Sequence, residues 1–384
     1  MKLLVIGSGM MGSAAAYDMA RSAGVEAVTL ADADGKLAKQ AAARINKMLG
    51  GKRVKAVELD AAKYGRAGKL MKGHAGVLSA VPYFFNEGLA KAAIEAGCHF
   101  ADLGGNNTVV RKTYALAKKA AKRGVAMAPD CGLSPGMASI LAGELMRRVA
   151  PNGEKVDALK LYVGGLPKDP CPPFYYQLVF SVNGLINEFV EPAKVLKNGK
   201  AVEIEPLTEP EDFHIEGFAP LTAFHTSGGT STMPETYQGQ VGECFEKTLR
   251  YPAHYTMIRS LYDLGMFSSR KKKLGKAEVS PREMTSQIFL DKFTGDEPDV
   301  VIMRIEAHRG GKVSAFTMVD YYDPATKMTS MMRTTAWPAS IVLQMMANGT
   351  IAKRGGVYQE TDVPGELFLA EMAKRGIQID FSQS

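Results

Sequence analysis

The chain has 384 residues, 46% hydrophobic and 23% charged, enough for two or three domains with full cores and ordinary for a soluble globular protein. No apolar run reaches the roughly 18 residues of a membrane span. The four cysteines (Cys98, Cys131, Cys171, Cys244) are scattered, which speaks against a disulfide framework or a zinc site and for reduced thiols in a cytoplasm. The formal net charge is +7, but Lys and Arg are spread along the chain. The dense run Arg270–Lys273 reads as a solvated loop without a recognition helix beside it, so no nucleic-acid partner is expected.

The first strand begins at once, so no signal peptide is expected before it. Leu3 to Ile6 is an apolar run suited to a strand buried on both faces. Gly7, Gly9 and Gly12 follow in the spacing G-x-G-x-x-G. A helix is expected from about Met10 to Ala23, ended by Gly24. A second strand, Ala27 to Ala31, runs into Asp32. Gly7 allows a tight turn, and Gly9 lets the backbone approach a pyrophosphate. Gly12, with the alanines at 14 to 16, lets helix pack closely on strand. Met10 and Met11 open the helix, whose N–H groups and partial positive charge suit phosphates. Asp32 stands 20 residues after Gly12, where a carboxylate accepts ribose hydroxyls. Strand, helix and acid around the glycines together predict a dinucleotide site. Asp32 and Asp34 would repel a 2′-phosphate, so NAD is expected rather than NADP.

Strand and helix then alternate. A helix from Lys36 to Leu49 is followed by strand three (Lys55 to Leu59, ending at Asp60) and a short helix up to Lys72. Strand four is Gly76 to Val81. Asn86 is placed to cap the next helix, strand five is His99 to Leu103, a single amphipathic helix covers about Val109 to Arg123, and strand six is Val125 to Ala128. Six strands joined by helices imply an α/β fold, a doubly wound parallel sheet of Rossmann type with ligands beyond the carboxyl ends of its strands. Asp32, Asp60, Ser79, Asp102 and Asp130 fall at those ends. Asp60 suits either the adenine side of the cofactor or a helix cap. Ser79, Val81 and Pro82 should pass beneath the nicotinamide ribose. Tyr83 would wall the substrate pocket or fill core. At Asp130-Cys131-Gly132, a backbone N–H could bind a substrate carboxylate, while Ser134 and Pro135 could start a helix reaching about Ala150.

From Pro151 the texture changes. Val156 to Val163 reads as a strand, Asn198-Gly199 as a hairpin turn, and His225 to Thr232 as a second glycine-rich segment without a convincing parallel strand before it. Lys247 to Tyr251 reads as a strand with Pro252 opening a helix. Ser280-Pro281-Arg282-Glu283 is a capping box. Asp299–His308, Val313–Tyr322 and Met328–Trp337 read as long strands of a second α/β domain whose sheet is largely antiparallel. Such a sheet commonly serves as a subunit contact, so a homodimer is expected. Residues 338–384 should return to the first domain. The expected division is therefore 1–131 with 338–384 for NAD binding, and 132–337 for substrate binding and dimerisation.

Several segments together resemble one family. They are VIGSGMMG (Val5–Gly12), AVTLAD (Ala27–Asp32), DLGG (Asp102–Gly105), PDCGLSPGM (Pro129–Met137), LYVGGLP (Leu161–Pro167), AFHTSGGTST (Ala223–Thr232), KTLRYPAH (Lys247–His254) and Ile351–Tyr358. The chain is similar to the lysine 6-dehydrogenases within the saccharopine dehydrogenase-like group, although Asn106 stands where close relatives would carry a histidine. The resemblance implies NAD-dependent oxidative deamination of L-lysine at its ε-carbon. The products would be 2-aminoadipate 6-semialdehyde, ammonia and NADH. It also implies a Rossmann domain with an α/β domain that closes over the substrate and dimerises. Saccharopine and carboxynorspermidine enzymes of the same group, and a non-catalytic NAD-binding regulator, are the alternatives. An ε-ammonium has an ordinary pKa of about 10.4, so the chemistry needs a base. Asp102 and Asp130 are the candidate carboxylates, His225 the candidate general base, and Arg250 the candidate clamp on the α-carboxylate. No metal is expected.

Overall fold

Leu3, Leu4, Val5 and Ile6 have no solvent exposure, as a central strand buried on both faces requires. They form β1 (Lys2–Ile6), which pairs in parallel with β2 (Ala27–Asp32) on one side and β4 (Gly76–Ser79) on the other. Between them run α1 (Met10–Arg21), α2 (Gly35–Leu49), β3 (Val54–Glu58) and α3 (Tyr64–Met71). Asp34 caps α2 by accepting the N–H groups of Lys36 and Leu37 at 2.8 and 3.0 Å, and Gly50, at φ 61°, ends it. A 3₁₀ turn at Tyr83–Phe85 leads into α4 (Asn86–Ala96), then β5 (His99–Asp102). Asn86 does not cap α4; its side chain accepts the Ser79 hydroxyl at 2.7 Å. The single helix expected near 109–123 is two, α5 (Asn107–Tyr114) and α6 (Ala117–Lys122), followed by β6 (Ala126–Ala128). The next helix, α7 (Met137–Val149), starts beyond Ser134 and Pro135.

The computed structural model describes every residue except Asp296 and divides into two compact units, one of residues 1–144, 324–328 and 332–378 and the other of 145–323, 329–331 and 379–384. The second unit is built on β7 (Val156–Pro167). It continues with α8 (Val182–Val190), the hairpin β8 (Ala193–Lys197) and β9 (Lys200–Ile204), β10 (Glu211–Phe213), β11 (Leu221–His225) and α9 (Met233–Thr236). Then come β12 (Val241–Arg250), α10 (Pro252–Asp263), β13 (Lys272–Leu274), β14 (Ala277–Val279), α11 (Pro281–Phe293), β15 (Asp299–Arg309) and β16 (Lys312–Tyr321). The capping box at Ser280 and Glu283 is formed as its sequence requires. Two expectations fail here. β12 starts at Val241, six residues before the expected strand, and the Arg270–Lys273 run partly belongs to the exposed β13–β14 hairpin.

The expected strand at Met328–Trp337 is instead the start of α12 (Ser330–Ala347). Its β-branched and aromatic residues favour a strand locally, but the buried Asp299 carboxylate accepts the N–H groups of Ser330 and Met331 at 2.6 and 2.8 Å and holds the first helical turn. After α12 come β17 (Gly355–Gly356), α13 (Gln359–Asp362), α14 (Gly365–Lys374) and β18 (Asp380–Gln383). β17 adds a seventh strand to the parallel sheet, whose order is β17-β6-β5-β4-β1-β2-β3. The strand order reverses beside β1, the position at which open α/β sheets bind ligands. Asp18 on α1, fully buried, ties the returning segment to this unit through Ser340 Oγ at 2.7 Å and Arg375 Nε at 2.8 Å. The second sheet runs β10-β11-β12-β7-β15-β16-β18, with β8 and β9 beside β12; β12 and β7 are parallel and its other pairs antiparallel. One of its faces packs with Phe189, Ile258, Phe267, Phe289 and Phe293 of the helices. Tyr162, Leu166, Leu249, Val300 and Ile302 form a separate core.

Candidate functional site

In the first unit the three glycines meet different surroundings. A Cβ on Gly12 would lie 1.8 Å from the carbonyl oxygen of Gly7, and one on Gly7, at φ 102°, would lie 2.5 Å from that of Ala80. A Cβ on Gly9 would meet nothing within 4 Å. Gly7 and Gly12 are therefore glycines because protein fills the space, whereas the space before Gly9 is left clear. Gly9 is also the N-cap of α1 and supplies no side-chain cap, so the helix begins with its positive end unscreened beside Met10 and Met11. At the end of β2 the Asp32 carboxylate accepts Ser8 N at 2.6 Å, Ser8 Oγ at 2.9 Å and Asp34 N at 2.9 Å. It is thereby fixed next to the glycine turn. These features fit a dinucleotide: open space for a pyrophosphate, N–H groups to face it, and an oriented acid at the end of the next strand.

Two other nucleotide candidates are engaged elsewhere. Ser79 is buried, and its hydroxyl donates to Asn86 at 2.7 Å. Asp60 is exposed and accepts Ala62 N through Oδ1 at 2.9 Å, a turn-capping contact. Val81 and Pro82 follow β4 at the sheet edge, as the chain order requires.

The carboxyl ends of β5 and β6 carry the candidate chemistry. Asp102 is buried, and its Oδ1 accepts the N–H groups of Gly104 at 2.8 Å and Asp130 at 3.0 Å. Burial raises its carboxyl to about 6, against the pull of those two donors. Asp130 sits at φ 60°, and a Cβ on Gly104 would come 1.9 Å from its Oδ1, so Gly104 admits no side chain. Tyr83 flanks Gly105, at 3.3 Å from the position of a Cβ there. Cys131 is buried, with its thiol pushed far up by desolvation. Its N–H donates to the Asp102 carbonyl at 2.8 Å and is not free to bind a carboxylate; Gly132 is held in a bridge to Gly136. Asp102, Asp130, Cys131, Gly132 and Tyr83 thus form one neighbourhood, built by backbone turns.

The second unit separates His225 from Arg250. β11 and β12 pair with His225 opposite Lys247 and Thr222 opposite Arg250. Side chains alternate along a strand, so His225 and Arg250 occupy opposite faces of the sheet. His225 Nε2 meets Glu209 Oε2 at 3.2 Å and its Nδ1 meets the Glu246 carbonyl at 3.3 Å, so both ring nitrogens are engaged. Burial and the Lys247 charge lower its pKa. Glu246, Thr248 and Arg250 share the other face of β12. Arg250 is buried; its Nη1 donates to the Leu249 carbonyl at 2.9 Å, its Nη2 lies 3.7 Å from Glu188 Oε2, and its guanidinium lies over the Tyr176 ring at 5.2 Å. Glu188, Glu246 and Tyr176 belong to no motif. The signal for Glu246 and Thr248 was their two-residue spacing from Arg250, a polar stripe on one face of a strand.

Among the described residues no group of three metal-ligating side chains occurs, and no helix is long and apolar enough to cross a membrane.

Comparison with known proteins gives two adjoining domain matches. Residues 3–128 match the saccharopine dehydrogenase NADP binding domain, and residues 132–377, more than half of the chain, match the saccharopine dehydrogenase C-terminal domain. The chain is 27% identical over 243 residues to the NADP(+)-linked, L-glutamate-forming saccharopine dehydrogenase of Schizosaccharomyces pombe, covering 61% of this chain and 53% of that protein. It is 25% identical over 295 residues to the mitochondrial alpha-aminoadipic semialdehyde synthase of Mus musculus, covering 73% of this chain and 30% of that protein. The match thus spans about half the length of the yeast relatives or less. Among solved structures, apo saccharopine dehydrogenase (L-Glu forming) from Saccharomyces cerevisiae superposes with a TM-score of 0.80 at 19% identity over 100% of this chain and 99% of that one. Homospermidine synthase from Legionella pneumophila, in complex with NAD, gives 0.70 at 11% identity over 100% and 91%. These likenesses carry the two-domain α/β architecture, and the domain matches establish that the chain belongs to the saccharopine dehydrogenase family.

Proposed function

We propose that the protein is an NAD-dependent dehydrogenase that oxidises L-lysine at its ε-carbon, giving 2-aminoadipate 6-semialdehyde and ammonia. The observation that carries the reading is the pairing, at one sheet edge, of an uncapped helix N-terminus faced by the clear space at Gly9 with a buried carboxyl, Asp102, held near neutrality. The nicotinamide, when bound, accepts the hydride. The chain's own groups do the rest. Asp32 orients the adenosine ribose, and with Asp34 it disfavours a 2′-phosphate. A group with a pKa of about 6 is matched to taking a proton from an amine near neutral pH, the role assigned to Asp102, with Asp130 beside it holding the ammonium on arrival. Tyr83 and Gly132 shape the same neighbourhood, and Arg250 is kept as the candidate clamp for a carboxylate. His225, with both nitrogens engaged, is not assigned the base.

Oxidation of saccharopine is the second reading, favoured by the names of the yeast relatives. Both reactions break a bond between the same carbon and nitrogen. The test is NAD or NADP reduction followed at 340 nm with L-lysine, saccharopine, ornithine and carboxynorspermidine. Turnover of L-lysine with ammonia release supports the first reading. Turnover of saccharopine alone replaces it, and faster turnover with NADP overturns the role given to Asp32 and Asp34.

A further inference from the structure

Beneath α8 and α10, on the face of β12 that carries Glu246, Thr248 and Arg250, the second unit buries a group of polar atoms that its own fold leaves short of hydrogen bonds. Arg250 is 3% exposed, yet its Nε has no hydrogen-bond partner. The hydroxyl of the buried Tyr176 faces the Arg250 guanidinium, a donor, and has no acceptor for its own proton. His254, fully buried, donates Nδ1–H to the Phe174 carbonyl at 3.0 Å, which leaves Nε2 as a bare acceptor. Glu188 Oε2 is buried and accepts no hydrogen bond; it faces Arg250 Nη2 in an ion pair at 3.7 Å. Glu246, 4% exposed, is bound by Thr226 Oγ1 at 3.2 Å and Thr248 Oγ1 at 3.4 Å. The chain joins the two acids through Ser227, whose N–H donates to the Glu188 carbonyl at 3.0 Å.

A buried polar atom without a partner is costly to keep, so several in one place are retained for a reason. The set is also mixed in kind. Two donors, Arg250 Nε and the Tyr176 hydroxyl, suit a carboxylate. Two acceptors, Glu188 Oε2 and His254 Nε2, suit an ammonium. An inorganic anion would satisfy the first pair and leave the second, and a diamine would do the reverse. A zwitterion satisfies both.

We propose that Glu188, with Glu246 behind it, seats the α-ammonium of an amino acid whose α-carboxylate is held by Arg250 and Tyr176. The site rests on the reading of this protein as an enzyme of lysine chemistry, but it concerns the α-amino acid end, which L-lysine and saccharopine share. Glu188 is the entrance: its side chain is 28% exposed, whereas Arg250 and Glu246 form the floor. Burial raises Glu188 to about 7 and Glu246 to about 8, so an arriving ammonium also brings the charge that lets a carboxylate form there.

The experiment is calorimetric titration of the full chain, without turnover, with L-lysine, with 6-aminohexanoate, which lacks the α-ammonium, and with cadaverine, which lacks the α-carboxylate. The native protein should bind L-lysine more tightly than either analogue. Glu188→Gln should narrow the preference for L-lysine over 6-aminohexanoate by about tenfold or more, while the preference over cadaverine persists. Arg250→Gln should do the opposite. If Glu188→Gln weakens both ligands equally, or if no α-amino acid binds and the orphan atoms hold only water, the site is overturned. Saccharopine turnover with an intact Glu188 effect would replace the proposed substrate and keep the site. Lysine turnover without that effect would do the reverse. Should Arg250→Gln fail to fold, Glu188→Gln alone decides, because that side chain is partly in solvent.

Discussion

The two units build their chemistry from different materials. In the first, the groups that matter belong to the backbone: a helix N-terminus, glycines with defined reasons to lack a side chain, and the two N–H donors that Asp102 gathers from the turns after β5 and β6. In the second they are side chains far apart in sequence, with Tyr176, Glu188, Glu246 and Arg250 brought together between a sheet face and its helices. Backbone sites depend on local spacing and tolerate little change in it. Side-chain sites depend on tertiary packing and leave their neighbours in the sequence free to vary.

Substitution can break or sharpen this contrast. The largest effect belongs to Gly12→Val. With its Cβ 1.8 Å from a backbone oxygen that cannot rotate away, the variant should yield no folded first unit by circular dichroism. Folded protein with a native melting temperature would sink the steric account. Next comes Arg250→Gln. Removing a buried guanidinium from its acid leaves a charge unpaired, and kcat/KM for L-lysine should fall by about 100-fold or more. An unchanged value would move the α-carboxylate elsewhere. Gly9→Val should behave unlike its neighbour at 12, because its side chain enters clear space. The melting temperature should hold, while the dissociation constant for NADH in a fluorescence titration rises by about tenfold or more; equal loss of fold at both positions would erase the distinction.

A smaller effect concerns pH. Glu246 in the folded chain titrates near 8, and in the unfolded chain at the ordinary carboxyl value of 4.5. Between the two the folded state holds the extra proton, so this group's contribution is fully present below about 4.5 and is lost as pH rises through about 8. Glu246→Gln should flatten the fall in melting temperature between those limits by a few degrees, and an unaltered pH profile would refute the buried acid. The smallest change is expected from His225→Asn, on the opposite sheet face: kcat within about threefold of native and no shift in its pH profile, a loss smaller than the roughly hundredfold or more that general acid–base catalysis contributes.

This contrast also explains what could be read without coordinates. The parallel sheet, the glycine turn, Asp32 and the capping box follow from spacing within a few residues, which is why they stood out in the sequence. Asp102 and Asp130 were legible as strand-end acids for the same reason. Asp60 and Ser79 had the right positions, but local partners, Ala62 N and Asn86, claim their side chains. Cys131 N–H was likewise claimed by the Asp102 carbonyl. The helix at Ser330 was misread as a strand because the residue that starts it, Asp299, is 31 positions away. His225 and Arg250 were read as candidate base and candidate clamp from the types of residue in their segments, and only the β11–β12 register places them on opposite faces.

Asp18 has a consequence for the order in which the molecule is made. Its carboxylate has no exposure in the finished protein and is held by Arg21 on its own helix and by Ser340 and Arg375, more than 300 positions downstream. The parallel sheet likewise waits for its seventh strand at Gly355–Gly356. On the ribosome, where domains fold as their residues emerge, the unit encoded first is therefore completed late: residues 145–323 of the second unit are available before the first has its last strand and the distant partners of its buried acid. During that interval the nucleotide-binding half is the part that chaperones would hold.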